Sequence, residues 1–132
     1  MNKYFDILKK LNAKARKNGD IPVSALIIKD DKIISKAYNK KYKNNNPFDH
    51  AEIIAIKKAS KKLRTPNLSE CILLVTLEPC SMCKEVIKES KIKNVFYLLD
   101  NSKIINYNVI YKKVESEPYF SREIKAFFSD KR

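Results

Sequence analysis

Thr76-Leu77-Glu78-Pro79-Cys80-Ser81-Met82-Cys83, with Asp49-His50-Ala51-Glu52 upstream, is the pair of stretches on which the reading of this chain turns. His50 is the only histidine among 132 residues and stands two positions before Glu52. Cys80 and Cys83, two of three cysteines, form a Cys-x-x-Cys pair directly after Pro79. One imidazole and two thiolates make three zinc ligands. Three protein ligands leave the fourth tetrahedral position open to water, the arrangement of a catalytic rather than a structural site. A Cys-x-x-Cys at a helix start sets both sulfurs on one side of the first turn, where N–H groups and the helix dipole favour thiolates. Zinc held this way lowers the pKa of its bound water to roughly 7. Glu52, kept off the metal, is then the proton carrier beside that water.

Plainer readings of the same residues exist. Asp49 can cap a helix with Glu52 three residues on, in a capping-box-like pairing. Cys80 and Cys83 can be a redox pair or half of a structural zinc site. A structural site needs a fourth ligand, and Cys71 is the remaining candidate; it precedes the apolar run Ile72-Leu73-Leu74-Val75 and reads as a buried strand cysteine. Taken jointly, the histidine, the glutamate and the cysteine pair fit the catalytic template better than any of these.

The rest of the chain supplies the frame. The length suits one domain, and a 44% hydrophobic content can supply a core. No 18-residue apolar run is present, and the N-terminus has lysines but no apolar signal core, so neither a membrane span nor a secretory leader is expected. An odd cysteine count with a Cys-x-x-Cys pair fits a reducing cytoplasm. Residues 2–18 read as an amphipathic helix with Tyr4, Phe5, Leu8, Leu11 and Ala15 as its apolar stripe, stopped by Gly19. Residues 22–29 read as a strand, Val23, Ala25 and Ile27 on one face and Leu26 and Ile28 on the other. Asp30-Asp31 turns into a second strand, 32–38. A polar loop, 39–48, precedes a helix over 49–63 with Ile53, Ile54 and Ile56 inward. Strands follow at 72–77, 93–99 and 109–114, with helices at 80–90 and 118–130. Such alternation indicates an α/β layered domain with a mixed sheet. Both proposed ligand segments fall at loop-to-helix junctions.

The two quoted stretches resemble those of the cytidine deaminase-like superfamily, most closely the bacterial tRNA-specific adenosine deaminases, which convert a wobble adenosine to inosine. Ile21-Pro22-Val23 with Ala25, Asn39 at the end of the second strand, Val95-Phe96 with Asp100, and the Phe127-Phe128 tail ending in Lys131-Arg132 are similar to that family as well. The resemblance implies a three-layer α/β/α fold with a mixed five-stranded central sheet, residues 1–132 forming a single zinc-dependent deaminase domain. It implies one Zn2+ per chain on His50, Cys80 and Cys83, Glu52 as the catalytic proton shuttle, and substrate contacts from Asn39, Ala51 and Pro79. The partners implied are a tRNA anticodon stem-loop and a second copy of the chain, with no membrane and a cytoplasmic location. Hydroxide attack on the carbon bearing the exocyclic amine is the reaction, C6 for adenine and C4 for cytosine.

Several positions depart from the family pattern. Ser24 stands where glycine is usual, Asp20 where glutamate is usual, and Phe48-Asp49 where small residues precede the histidine. The segment after Asp100 is short, so a helix between the fourth and fifth strands is expected to be trimmed or lost.

With 28 Lys+Arg against 15 Asp+Glu, the net charge of +13 suits a phosphate-rich partner. Lys57, Lys58, Lys61 and Lys62 recur on one helix face, Lys40, Lys41 and Lys43 load the loop beside Asn39, and Lys84, Lys88 and Lys91 line the second metal helix. Lysine excess as a general compositional bias gives the same count. Two other functions use the same motifs: a deaminase of a free base or nucleoside, and a non-catalytic zinc-stabilised RNA-binding module.

Overall fold

The computed structural model describes residues 2–101 and 109–130. Its elements run α1 (Asn2–Lys17), β1 (Ser24–Lys29), β2 (Lys32–Tyr38), α2 (Ala51–Leu63), β3 (Ile72–Leu77), α3 (Ser81–Glu89), β4 (Asn94–Leu99), β5 (Ile110–Lys113) and α4 (Pro118–Asp130). One five-stranded sheet has the order β2-β1-β3-β4-β5. β1 is antiparallel to both β2 and β3, while β3, β4 and β5 are parallel neighbours. This is the mixed sheet that the alternation of elements implies. Residues 102–108, in the segment where a helix is expected to be trimmed or lost, and the terminal Lys131-Arg132 lie outside the described residues.

The period-2 pattern of β1 sorts its side chains to two cores. Val23, Ala25 and Ile27 join Ala51, Ala55 and Ala59 of α2 and Ile87 of α3 on one face. Leu26 and Ile28 join Tyr4, Phe5, Leu8 and Leu11 of α1 and Phe120 of α4 on the other. Helices thus cover both faces, as an α/β/α layering requires. β3, in the middle, is apolar at every position but Thr76 because both of its faces are covered.

Two turns follow directly from the chemistry of their residues. Asp30 and Asp31 both take positive φ, 51° and 62°, between paired Lys29 and Lys32. That is the two-residue hairpin whose twist suits the flanking strands, and Asp tolerates it. Gly19 takes φ 76° at the end of α1, where the Gly19 N–H bonds the Arg16 carbonyl at 3.0 Å and the Asp20 N–H bonds the Ala15 carbonyl at 3.0 Å.

The helix over 49–63 is the element that departs most from expectation. It begins at Ala51 with His50 as its N-cap residue, and Asp49 does not cap it. The Asp49 carboxylate instead accepts from the Asn44 side-chain amide at 2.8 Å. Of the three isoleucines expected inward, Ile56 is buried, whereas Ile53 and Ile54 are partly covered. The fully buried face carries alanines, so α2 approaches the sheet closely, and the Ser35 hydroxyl of β2 bonds the Ala55 carbonyl across the gap at 2.7 Å.

A Cβ added at Gly19 meets no atom within 4 Å, so replacement there costs only the left-handed backbone conformation. Gly19→Ala is expected to lower unfolding free energy by about 1 kcal/mol in urea titration, without changing the m-value.

Candidate metal centre and cleft

β2 and β3 are both antiparallel to the strand between them, so they point the same way. Their carboxyl ends therefore open on one edge of the sheet, where open α/β sheets place their ligands. The chain leaves β2 through Asn39 and enters α2 at His50. It leaves β3 through Glu78-Pro79 and enters α3 at Cys80, the N-cap residue of that helix. Two helix N-termini thus converge at one point and bring the three donors with them.

The Sγ atoms of Cys80 and Cys83 lie 3.8 Å and 3.4 Å from His50 Nδ1. All three donor atoms lie within 4.8 Å of one another. Zinc bonds of about 2.3 Å to sulfur and about 2.0 Å to nitrogen, at tetrahedral angles, put neighbouring donors about 3.6 Å apart. The trio fits a single zinc ion. Among the described residues it is the one cluster of three or more such donors, and Glu52 is not in it. Cys71 is a free, buried thiol at the opposite end of β3 from Cys80, and a six-residue strand spans about 20 Å. It cannot be a fourth ligand, and all three cysteines are free thiols.

Charge in this cluster is shared by hydrogen bonding. Cys83, donating to Cys80, and then His50 pull the Cys80 thiol down to about 3. The bond to Cys80 raises the His50 imidazole, and the same contact together with burial raises the Cys83 thiol. Metal ligation needs both sulfurs as thiolates and the imidazole neutral, so zinc uptake must expel protons. Glu52, in the first turn of α2, is 4% exposed, and burial lifts its carboxyl to about 7. An acid held there can both accept and release a proton near neutrality.

Around the trio, hydrogen bonds orient the neighbours. Asn39 Oδ1 accepts the Ala51 N–H at 2.8 Å. A backbone N–H can only donate, so this bond decides the amide's orientation and leaves its NH2 as the group to offer a ligand. Ala51 is fully buried with its N–H committed to Asn39, and Pro79 is buried in the turn before Cys80. Asp20, 1% exposed, accepts the Tyr42 N–H at 2.8 Å and the Lys43 N–H at 3.4 Å, which pins the loop after Asn39. Ser24 bonds the Leu8 carbonyl at 3.2 Å and so ties β1 to α1.

A cleft of about 690 Å³ opens at His50, with Asn39, Lys41, Tyr42 and Asp20 on one side and Phe127 and Phe128 on the other. Phe128 is 47% exposed. The two rings meet edge to face at 5.3 Å rather than entering the core. α4 is held in place by Glu123, whose carboxylate accepts from Asn12 at 2.9 Å and pairs with Arg16 at 2.9 Å.

One lysine assigned to the basic surface belongs elsewhere. Lys84 is 1% exposed, pairs with buried Glu78 at 3.4 Å and lies 4.7 Å over the Tyr111 ring. Glu78 Oε1 also accepts the Asn101 N–H at 3.1 Å. This pair brackets the Pro79–Cys83 turn and ties it to β4 and β5. Its signal was in the sequence: Lys84 is four residues after Cys80 and three before Ile87, on the buried face of α3. Lys88 and Lys91 are exposed, as expected.

The sequence pattern of the cytidine and deoxycytidylate deaminase zinc-binding region matches residues 1–99. The chain belongs to this deaminase family. It is 43% identical over 100 residues to a tRNA-specific adenosine deaminase of Rickettsia bellii, a match covering 74% of this chain and 68% of that protein. A solved guanine deaminase of Bacillus subtilis aligns with TM-score 0.65 at 39% identity, over 70% of this chain and 62% of that one. A structure from work on A-to-I editing by tRNA:A34 deaminases shares the fold, with TM-score 0.78 at 22% identity over 86% of this chain and 98% of the other. Family membership accounts for the donor trio, since zinc is the metal of these deaminases.

Two outcomes test this geometry. Purified protein should carry about one zinc per chain, and His50→Ala or Cys83→Ala should reduce that to a small fraction by elemental analysis. Lys84→Met should destabilise the zinc-loaded protein by about 3–5 kcal/mol in urea, because Glu78 is left buried and unpaired, and Glu78→Gln in the same chain should recover much of the loss.

Proposed function

We propose that the chain is one zinc-dependent deaminase domain over residues 1–132 that converts a wobble adenosine to inosine in a tRNA anticodon loop. The observation that carries this reading is the donor trio with a buried carboxyl beside it, at the foot of a cleft rimmed by lysine and aromatic side chains. The relative from Rickettsia bellii supports the choice of substrate.

His50, Cys80 and Cys83 hold the metal. A zinc ion held by these residues would supply the Lewis acid that activates the attacking water. Glu52 takes the proton released by that water and delivers it to N1 of the purine, while the water oxygen forms its bond to C6. Glu52 then carries the second proton to the exocyclic nitrogen, and the C6–N bond breaks to release ammonia. One water is consumed and one ammonia released for each inosine formed, so the reaction balances. Asn39 donates its NH2 to the nucleoside, Ala51 orients Asn39 through its N–H, and Pro79 shapes the pocket wall. An unpaired anticodon-loop base is the cheapest to place in such a cleft. Phe127, Phe128 and Tyr42 offer it and its neighbours stacking surfaces. A homodimer and a cytoplasmic location belong to the same reading; among the described residues no helix is long and apolar enough to cross a membrane.

The likeness to a guanine deaminase supports a second reading, turnover of a free purine base. A panel of anticodon stem-loops, free adenosine and free guanine separates the two. Inosine should form in a stem-loop carrying adenosine at the wobble position. Glu52→Gln should keep its zinc and lose at least a thousandfold in kcat. Turnover of guanine alone would discard the RNA substrate, and full activity in Glu52→Gln would discard the proton shuttle.

A further inference from the structure

A second concavity, about 220 Å³, shares the 40–49 loop with the cleft. The loop turns Lys41 and Tyr42 to the cleft, and Lys40, Asn44 and Asp49 to this groove. Its other wall is the exposed face of α2, with Lys57, Lys58 and Lys61. Four ammonium groups therefore face one carboxylate, and that carboxylate already accepts from Asn44 at 2.8 Å. Other lysines that lie between elements have acidic partners: Lys9 with Glu117, Lys29 with Glu70, Lys113 with Asp100. Among the described residues, none of the four groove lysines forms such a pair. Lys58 is held below its ordinary value, by burial first and by Lys40 next. Crowded cations without counter-charges favour an anionic ligand with several regularly spaced charges.

We propose that this groove binds backbone phosphates of a nucleic-acid strand, flanking the nucleotide whose base enters the cleft. The proposal rests on the polynucleotide reading of the cleft and adds to it a separate site, on the other side of the 40–49 loop. Two features select nucleic acid over an acidic peptide or a lipid surface. Tyr42 and Phe48 of the shared loop are each 60% exposed, interleaved with its lysines, which is the chemistry that binds single strands by stacking and charge together. The groove also shares that loop with a cleft able to receive a base. The chain of contacts sets a length requirement: the groove takes phosphates beyond the target nucleotide, and a free nucleoside cannot use it.

The experiment measures binding of a fluorescent anticodon stem-loop to the zinc-loaded protein by anisotropy, across salt concentrations. The triple variant Lys57→Gln, Lys58→Gln, Lys61→Gln should weaken binding at least tenfold near 0.1 M salt and lower the slope of log K against log salt by about 2, at about 0.7 per lost single-strand phosphate contact. In turnover, KM for the stem-loop should rise while kcat stays unchanged. A control variant, Lys10→Gln, Lys14→Gln, Lys17→Gln, removes equal charge from α1 and should change the slope by less than half as much. Equal losses in both variants, or none in the first, overturn the proposal. So does tighter binding of a polyglutamate peptide or phosphatidylserine vesicles than of the stem-loop, if the groove variant abolishes it. Binding needs no turnover, so the two claims separate. Salt-dependent loss in the groove variant without inosine from any stem-loop keeps the groove and sinks the editing reading. Inosine formation with unaltered binding in that variant does the reverse.

Discussion

Everything at this site depends on β1 lying antiparallel between β2 and β3. Because it does, two strands that are not neighbours deliver their carboxyl ends to the same edge of the sheet. Each end feeds a helix on the same face, and the two helix N-termini meet with His50 on one and the cysteine pair on the other. The close packing of α2 through Ala51, Ala55 and Ala59 sets how near His50 comes to the sulfurs. Larger residues on that face would move His50 away from the sulfurs, because a core filled to crystal-like density transmits added volume as displacement.

Around this point the fold buries charges that a core would normally exclude, and each has a visible occupation. Asp20 holds the cleft-lining loop by its backbone N–H groups. Glu78 and Lys84 lock the turn that carries Cys80 and Cys83. Glu123 fastens α4, and with it the two phenylalanines of the cleft, to α1. Glu52 lies beside the donors, hydrogen-bonded to Cys83, with its affinity for a proton raised chiefly by burial. Asp20, Glu78 and Glu123 thus act as positioning devices, whereas the perturbed carboxyl of Glu52 sits against the metal donors themselves.

Much of this was legible in the sequence, for physical reasons that differ by element. The alternation in β1 named the residues of both cores, and the Asp30-Asp31 turn followed from residues that tolerate positive φ. The donor trio was legible because few chemistries ask for a histidine, a glutamate and a Cys-x-x-Cys together. α2 starts two residues later than the sequence suggests, because Asp49 is a better cap by residue type than His50. Tertiary demand on the imidazole outweighed that preference, and Asn44 took the carboxylate. Lysine is rarely buried, so residue type alone places Lys84 on the surface; only the pairing with Glu78, six residues earlier and across a turn, makes its burial tolerable. The position of Phe127 and Phe128 was not readable, since whether two adjacent rings enter the core depends on how α4 docks.

X-ray absorption at the zinc edge of the purified protein tests the central claim most directly. The account predicts two sulfur neighbours at about 2.3 Å and two lighter neighbours at about 2.0 Å, one of them exchangeable for a small anion. A shell of four protein ligands with three or more sulfurs, or a protein that folds and acts without zinc, would contradict it.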